Sequence, residues 1–414
     1  MTQLTFNGLG IAPKLLESLG RLNFTTPTPI QHQSIPSAIQ GKDLIGIAQT
    51  GTGKTLAFGI PLIQKLAESR ENGLILLPTR ELALQVGSAL NRIGASLGLR
   101  TVILIGGENM SQQIYDLRRG YHIVVATPGR LIDHLKRKTV NLNKVSALIL
   151  DEADRMLDMG FEPQIRQILQ SVPEKRQTML FSATMPPQIM RIINSYMKSP
   201  VKIEVSPSGT AAENVSHEVF FVDQRLKMDL LETVLKEKKG SVLVFSRTKH
   251  NAKKIAEIIK EKGYASTEIH SNRSLKQRLN ALSGFKSGFY RVMVATDIAA
   301  RGIDVANIEL VVNYDLPENP EDYVHRIGRT GRAGRSGQAI SFATPNQRFE
   351  IGSIERLIKK QLAVSELPAL IKSQSSFAGS SKFGGGNNFS KRRSFGGSFR
   401  RGKIFDSRPR RQLA

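Results

Sequence analysis

The chain has 414 residues, of which 40% are hydrophobic and 23% charged; that is enough apolar material for two or three folded units and too much for a disordered chain. It contains no cysteine, which excludes disulfides, thiol nucleophiles, Cys-ligated zinc and iron–sulfur clusters. Its 59 Lys+Arg against 35 Asp+Glu leave a net charge of +24, the sign and size that attract a polyanion, nucleic acid ahead of an anionic membrane.

The opening MTQLTFNGLG has neither a basic n-region nor an apolar h-region, and no run approaches the ~18 apolar residues of a membrane span. A cytoplasmic location is expected. Short β-rich runs then alternate with helix-length amphipathic stretches, the pattern of parallel sheets flanked by helices. Strands are predicted near 44–48, 74–78, 101–105, 122–126, 147–151 and 177–182. The small, polar run VSPSGTAAEN, 205–214, reads as a linker. A second series follows, with strands near 217–222, 241–246, 291–295, 309–313 and 338–342 and a helical pattern at 249–262. The class is α/β, with one folded unit over 1–204, a second over 215–370, and a tail over 371–414 too poor in periodic apolar residues to fold alone.

Residues 48–55, AQTGTGKT, follow a predicted strand and open a predicted helix. This is the form of a Walker A loop, in which backbone N–H groups wrap nucleotide phosphates. Gly51 and Gly53 permit the backbone path, Lys54 would sit at the β/γ-phosphates, and the Thr55 hydroxyl would ligate Mg²⁺. A Gly-rich turn that binds nothing is the bland alternative. A dinucleotide fingerprint is disfavoured, because Gly51-x-Gly53-x-x ends in Leu56. At the end of another predicted strand, LIL precedes Asp151-Glu152-Ala153-Asp154, where one carboxylate can reach the metal and its neighbour can polarise a water. Alone, that segment reads equally well as the acidic first turn of a solvated helix. Later, HRIGRTGRAGR, 325–335, gathers four arginines between glycines with no carboxylate among them, so the cluster suits an external phosphate. Lying in the second unit, it could complete a nucleotide site in the first only when the two close together.

Together these segments resemble the DEAD-box family of ATP-dependent RNA helicases, across nearly all of residues 6 to 345 and in the family's order. The resemblance implies two tandem RecA-like domains, ATP and Mg²⁺ as cofactors, and RNA as partner. It implies that Phe24 stacks on adenine and Gln31 bonds its edge, with Phe6 as an upstream aromatic. Gln49, Thr50, Gly51, Thr52, Gly53, Lys54 and Thr55 would hold the phosphates, and Asp304 would lie near the ribose. Glu152 would orient the attacking water, Asp151 would share the metal with Thr55, and Arg329 and Arg332 would be arginine fingers. Asp154, Ser182, Thr184, His325 and Arg326 would couple nucleotide to RNA. RNA contacts would come from Pro78, Thr79, Arg80, Gly107, Thr127, Pro128 and Arg130 in the first unit, and from Arg247, Thr296, Arg301 and Gly302 in the second. Such strand-end amides, hydroxyls and guanidinium groups suit phosphates and 2′-hydroxyls rather than bases. Bacterial members, particularly the RhlE-type subgroup, are the most similar.

The sequence also departs from the family pattern. Asn23 replaces the usual Gly before Phe24, and Ala48 stands where the general loop has Gly. Ser271 replaces a Gly after His270, and Leu275 replaces the Gln of a Gln-x-x-Arg whose Arg278 is kept. No RNA or interdomain contact is therefore assigned to position 275, and Gln277 falls on a different helical face.

Two other readings compete. A P-loop kinase for a small molecule shares the Walker loop but has no use for a second sheet or the arginine run. An ATP-gated RNA clamp or assembly scaffold uses the same residues with little unwinding. Ribosomal or RNA-degradation complexes are expected partners, with a monomeric core. In the tail, eleven Lys+Arg face one acidic residue, and Phe377, Phe383, Phe389 and Phe395 recur every six residues, with Phe399 and Phe405 repeating the interval. Aromatic and cationic residues so interleaved stack on bases and track a backbone without sequence choice, and they favour self-association. Deleting 371–414 is expected to raise the RNA concentration for half-maximal ATPase and to spare turnover at saturation, as measured by RNA titration of steady-state hydrolysis.

Overall fold

The computed structural model describes residues 4–49, 51–205, 215–300, 308–331, 336–369 and 371. Thr50, Arg301, Gly302, Asp304, Arg332, the linker from 206 on and the tail from 372 on lie outside them. The first lobe carries strands β1 (Leu44–Ile47), β2 (Asn72–Leu76), β3 (Thr101–Leu104), β4 (Ile123–Ala126), β5 (Val145–Leu150), β6 (Gln177–Ser182) and β7 (Val201–Glu204). The second carries β8 (Val215–Phe221), β9 (Val242–Phe245), β10 (Ser266–Ile269), β11 (Val292–Ala295), β12 (Leu310–Asn313), β13 (Gly337–Ala343) and β14 (Ala363–Val364).

Both lobes form seven-stranded sheets, ordered β3-β4-β2-β5-β6-β1-β7 and β10-β11-β9-β12-β13-β8-β14, with every pairing parallel. Numbered within each lobe the two orders are identical, so the second lobe repeats the topology of the first. The central strands are apolar runs because helices cover both faces. Along β1 and β5, Leu44, Ala147 and Ile149 enter one core layer, and Ile45, Ile47, Leu148 and Leu150 the other. In the second lobe Val242 and Val244 face one layer, Leu243 and Phe245 the opposite.

All eleven predicted strands are present within a residue or two. The three that the sequence reading passed over, β7, β10 and β14, are edge strands or adjoin one. β7 is half-covered and carries Lys202 and Glu204, β10 is largely buried but polar in Ser266, Thr267 and Glu268, and β14 is only two residues long, so none shows the apolar run that marks a central strand. A second difference concerns Ile371, assigned to the tail by composition: it is 2% exposed within the second lobe's core beside Val222 and Phe342. The tail therefore begins after it.

The parallel strands all end at one edge of each sheet, where the loops meet. β1 delivers the glycine-rich loop there, and its position depends on close contact with β6. A Cβ built on Gly46 would lie 2.5 Å from the ring of Phe181, itself fully buried against Phe58 with ring centroids 5.5 Å apart. Gly46→Ala is expected to destabilise the first lobe by ~1–3 kcal/mol through overpacking. Hydrogen–deuterium exchange should show faster exchange across β1 and β6 with β9 and β12 unchanged.

Candidate functional site

The glycine-rich loop joins β1 to the helix Lys54–Ala67. Gly51 and Gly53 take φ values of 88° and 93°, a left-handed backbone open to glycine at little cost. Gly53 is doubly constrained, because a Cβ there would fall 2.3 Å from Gln31 Nε2. Gln31 caps its own helix by accepting from Thr28 N at 2.9 Å and donates from Nε2 to Gly53 O at 2.9 Å. One buried amide thus ties the helix Pro29–Ile39 to the phosphate loop. Lys54 is 6% exposed; its Nζ donates to Ala48 O at 3.0 Å and lies 3.9 Å from Asp151 Oδ1. Thr52 Oγ1 donates to Gln49 O at 2.8 Å.

Phe24, Thr28, Gln31, Gly51, Gly53 and Thr55 line one cavity of about 350 Å³. Asn23, between the lining residues Leu22 and Phe24, takes φ 62°, the left-handed region that asparagine tolerates better than other side chains. The replacement of glycine is thereby accommodated. Phe6 is placed elsewhere, 5% exposed in the first lobe's core, and does not line the cavity. The far wall is Gln85, Ala89, Arg92 and Ile93 from the helix Arg80–Gly94. Their three- and four-residue spacing marks one helical face, a signal present in the sequence that the motif reading passed over.

At the end of β5, Asp151, Glu152 and Asp154 are all buried. Burial pushes the Asp151 carboxyl up to about 6, with Lys54 opposing and Glu152 adding to the rise. Glu152 occupies φ 52°, a strained backbone for a non-glycine residue of the kind that clusters at functional sites. Burial would raise its pKa, but Arg155, Lys54 and Arg329 outweigh burial and hold it below the usual carboxylate range. Arg155 Nη1 donates to Glu152 Oε2 at 2.8 Å. Asp154 organises the turn after β6: its Oδ2 accepts from Ala183 N at 3.0 Å, Thr184 N at 2.8 Å and Thr184 Oγ1 at 3.0 Å, and its own N–H donates to Ser182 Oγ at 3.2 Å.

The second lobe meets this cluster through the helix Pro320–Ile327. Burial, with Arg155 beside it, pushes His325 down to about 3, so its neutral Nδ1 can accept from Arg155 Nη2, 3.4 Å away. Arg329 is 2% exposed, donates from Nε to His325 O at 3.2 Å, and reaches Glu152 electrostatically. Arg326 does not cross the cleft. It forms a fork to Asp297 at 2.6 and 2.7 Å, donates to Asn313 Oδ1 at 3.1 Å and Asp315 O at 2.6 Å, and stacks over Phe245. It therefore anchors the helix that presents His325 and Arg329. Arg155, Asp297 and Asn313 went unassigned in the sequence, since nothing in their spacing announces a partner 13 to 170 residues away.

A larger cavity of about 590 Å³ spans both lobes. Pro78, Thr79, Arg80, Gly107, Thr127 and Arg130 line its first-lobe side, and Ser271, Arg273 and Arg278 its second-lobe side. Two helices start at its wall, Arg80–Gly94 capped by Thr79 and Pro128–Lys136, directing free N–H groups and positive dipole ends into it. Arg80 lies over Gly107, where a Cβ would come within 2.2 Å of its Nη1. Arg130 Nη1 donates to Glu108 O at 3.1 Å. Pro128, Arg247 and Thr296 do not line this cavity. Arg247 N donates to Asp315 Oδ2 at 3.0 Å and Thr296 N to Ile269 O at 3.3 Å, which places both at strand ends of the second lobe.

Comparison with known proteins follows the same division. Residues 28–192 match the DEAD/DEAH box helicase family and 226–334 the helicase conserved C-terminal domain. The chain is 44% identical over 369 residues to the DEAD-box ATP-dependent RNA helicase CshA of Bacillus cereus, covering 88% of this chain and 70% of that one. It is 42% identical over 370 residues to CshA of Bacillus subtilis, covering 89% and 75%. Among solved structures, S. cerevisiae Dbp5 bound to RNA and ADP BeF3 is similar with a TM-score of 0.78 at 28% identity, covering 90% of this chain and 98% of that one. The DEAD-box helicase Mss116 bound to ssRNA and UDP-BeF gives 0.81 at 27% identity, covering 91% and 83%.

Asp154→Asn leaves one of its acceptor positions occupied by an amide N–H facing another donor. Amide exchange at Ala183 and Thr184 is expected to accelerate ~10- to 100-fold, the equivalent of a lost charged hydrogen bond, with β5 and β6 still protected.

Proposed function

Starting from this chain's membership of the DEAD-box family of ATP-dependent RNA helicases, we propose that it couples RNA-stimulated ATP hydrolysis to local opening of short RNA duplexes and remodelling of RNA–protein complexes. The observation that carries the reading is the shared electrostatic site: Arg329 of the second lobe acts on the Glu152 carboxylate of the first, with His325 and Arg155 in contact between them. A site divided in this way is complete only when the lobes are together, so an RNA strand lying across both lobes assists hydrolysis.

In this reading adenine enters the cavity lined by Phe24 and Gln31, and the phosphates lie along the loop from Gln49 to Thr55. Lys54 exchanges Ala48 O for phosphate oxygens. Glu152, ionised at neutral pH and fixed by Arg155, orients the attacking water in line with the γ-phosphate. Arg329 meets the charge that develops there, a task shared with Arg332 by family resemblance. Thr55 and Asp151 would hold Mg²⁺. Its fit is supported by Asp151, a buried carboxylate whose raised pKa a neighbouring cation would reverse. The ion would supply charge neutralisation of the phosphates.

RNA would occupy the two-lobe cavity, its phosphates on the helix N-termini and on Arg80, Arg130 and Arg273, with Arg247, Thr296, Arg301 and Gly302 extending the track. Hydrolysis breaks the bond between the β- and γ-phosphates, and departure of the freed phosphate takes away the charge that Arg329 meets and releases the strand. An ATP-gated clamp with little unwinding is not favoured, since the curated relatives are named helicases. The RhlE-type subgroup rests on motif resemblance alone, while those relatives are named CshA. Among the described residues no helix is long and apolar enough to cross a membrane, and a cytoplasmic location, ribosomal or RNA-decay partners and a monomeric core are our proposals, as are lobe boundaries at 1–204 and 215–371.

Glu152→Gln is expected to slow hydrolysis by ~10²- to 10⁴-fold with ATP and RNA affinities kept within severalfold, compared by single-turnover hydrolysis and equilibrium binding; near-normal turnover would remove Glu152 from its role. Arg329→Ala should abolish stimulation by RNA with the first lobe still folded, and retained stimulation would mean that the lobes do not share the site.

A further inference from the structure

Leu275 opens the helix Leu275–Lys286 of the second lobe, yet it is 5% exposed and belongs to the hydrophobic core of the first lobe. It packs toward the helix Arg80–Gly94. One turn further on, Arg278 Nη2 pairs with Glu81 Oε1 at 2.7 Å, and Glu81 is 8% exposed. Both partners of that pair lie on the wall of the two-lobe cavity. Gln277, the nearby amide, is engaged at home: its Oε1 accepts from Ser274 N at 2.9 Å and its N–H donates to Ser274 Oγ at 3.2 Å. The first turn of this helix therefore offers the other lobe an apolar plug and a cation, side by side, on a rigidly capped end.

We propose that Leu275 is a positioning residue for lobe closure, a plug that excludes water from the Glu81–Arg278 pair and fixes the spacing of the RNA cavity's two walls. The inference rests on RNA being the occupant of that cavity. An ion pair left open to solvent contributes little to association, whereas one shielded by apolar packing acts in a lower effective dielectric and resists screening. A leucine at this position gives closure a hydrophobic component, and its side chain becomes exposed to water when the lobes part. Leu275 touches neither nucleotide nor RNA in this assignment; it acts through Arg278 and Glu81.

The test uses the full chain with Leu275→Gln, Leu275→Ala and the conservative Leu275→Met, assayed for RNA-stimulated ATPase with a homopolymeric single-stranded RNA. The Gln and Ala variants should raise the RNA concentration for half-maximal stimulation about ten- to a hundredfold, the range expected from losing a buried leucine contact. Turnover at saturating RNA should stay within about twofold and the Met variant should match wild type. In an Arg278→Ala background the Gln substitution should add less than about twofold, because neighbours in one contact are not additive. A Gln variant with an unshifted half-maximal RNA concentration, or with turnover lost in step with melting temperature in both Gln and Ala forms, overturns the proposal. A wild-type chain with no RNA stimulation overturns the functional reading and this inference together; a stimulated wild type beside an unaffected variant overturns this inference alone.

Discussion

Three carboxylates, Asp151, Glu152 and Asp154, are buried within four residues of one another at the end of β5, and the rest of the site is arranged around keeping them there. Burying a charge is costly unless it is paired or hydrogen-bonded, and each of the three has a different remedy. Asp154 takes backbone and hydroxyl donors from the turn after β6. Glu152 takes Arg155 within its own lobe and feels Arg329 from the other. Asp151 accepts from Glu152 N at 2.9 Å and has Lys54 as a more distant cation, and burial still pushes its pKa up. The three remedies point to three different things: the neighbouring strand, the opposite lobe, and the phosphate loop that carries Lys54.

That division explains how one cluster can link sites far apart. A change at the nucleotide alters the charge that Lys54 and Asp151 face, a change at the turn alters Asp154, and parting of the lobes removes Arg329 from Glu152. Allosteric coupling needs a physical element that both sites bias, and the contact of Arg155 with His325, to whose carbonyl Arg329 is bonded, is the element we propose for it. Arg326 contributes differently than its motif suggested, since its fork to Asp297 and its bonds to Asn313 and Asp315 fasten the helix to the second sheet. A rigid second lobe is what allows His325 and Arg329 to arrive as a unit.

Much of the architecture was legible because parallel strands buried on both faces leave long apolar runs, and because the phosphate loop needs glycine at Gly51 and Gly53 for backbone reasons that survive in the sequence. Edge strands β7, β10 and β14 are illegible for the converse reason, as polar or very short strands leave no apolar run. Phe6 shows the limit of carrying a motif residue over by resemblance: its aromatic ring is accounted for by core packing. Leu275 shows the opposite limit: departing from the pattern, it inherits no contact by resemblance, yet it packs into the first lobe's core.

The order of the elements, the doubling of the sheet, the phosphate loop and the acidic strand end follow from the sequence, because each is a local pattern whose period or spacing reflects backbone geometry directly. Which arginine meets which carboxylate does not. Arg155 with His325, Arg278 with Glu81 and Leu275 with the opposite core are pairings over long sequence separations, set by where the two sheets come to rest, and Arg326 with Asp297 is set by packing within the second lobe. Side chains of one charge are interchangeable in a sequence, and only the packed backbone decides the few ångströms that make one of them a partner.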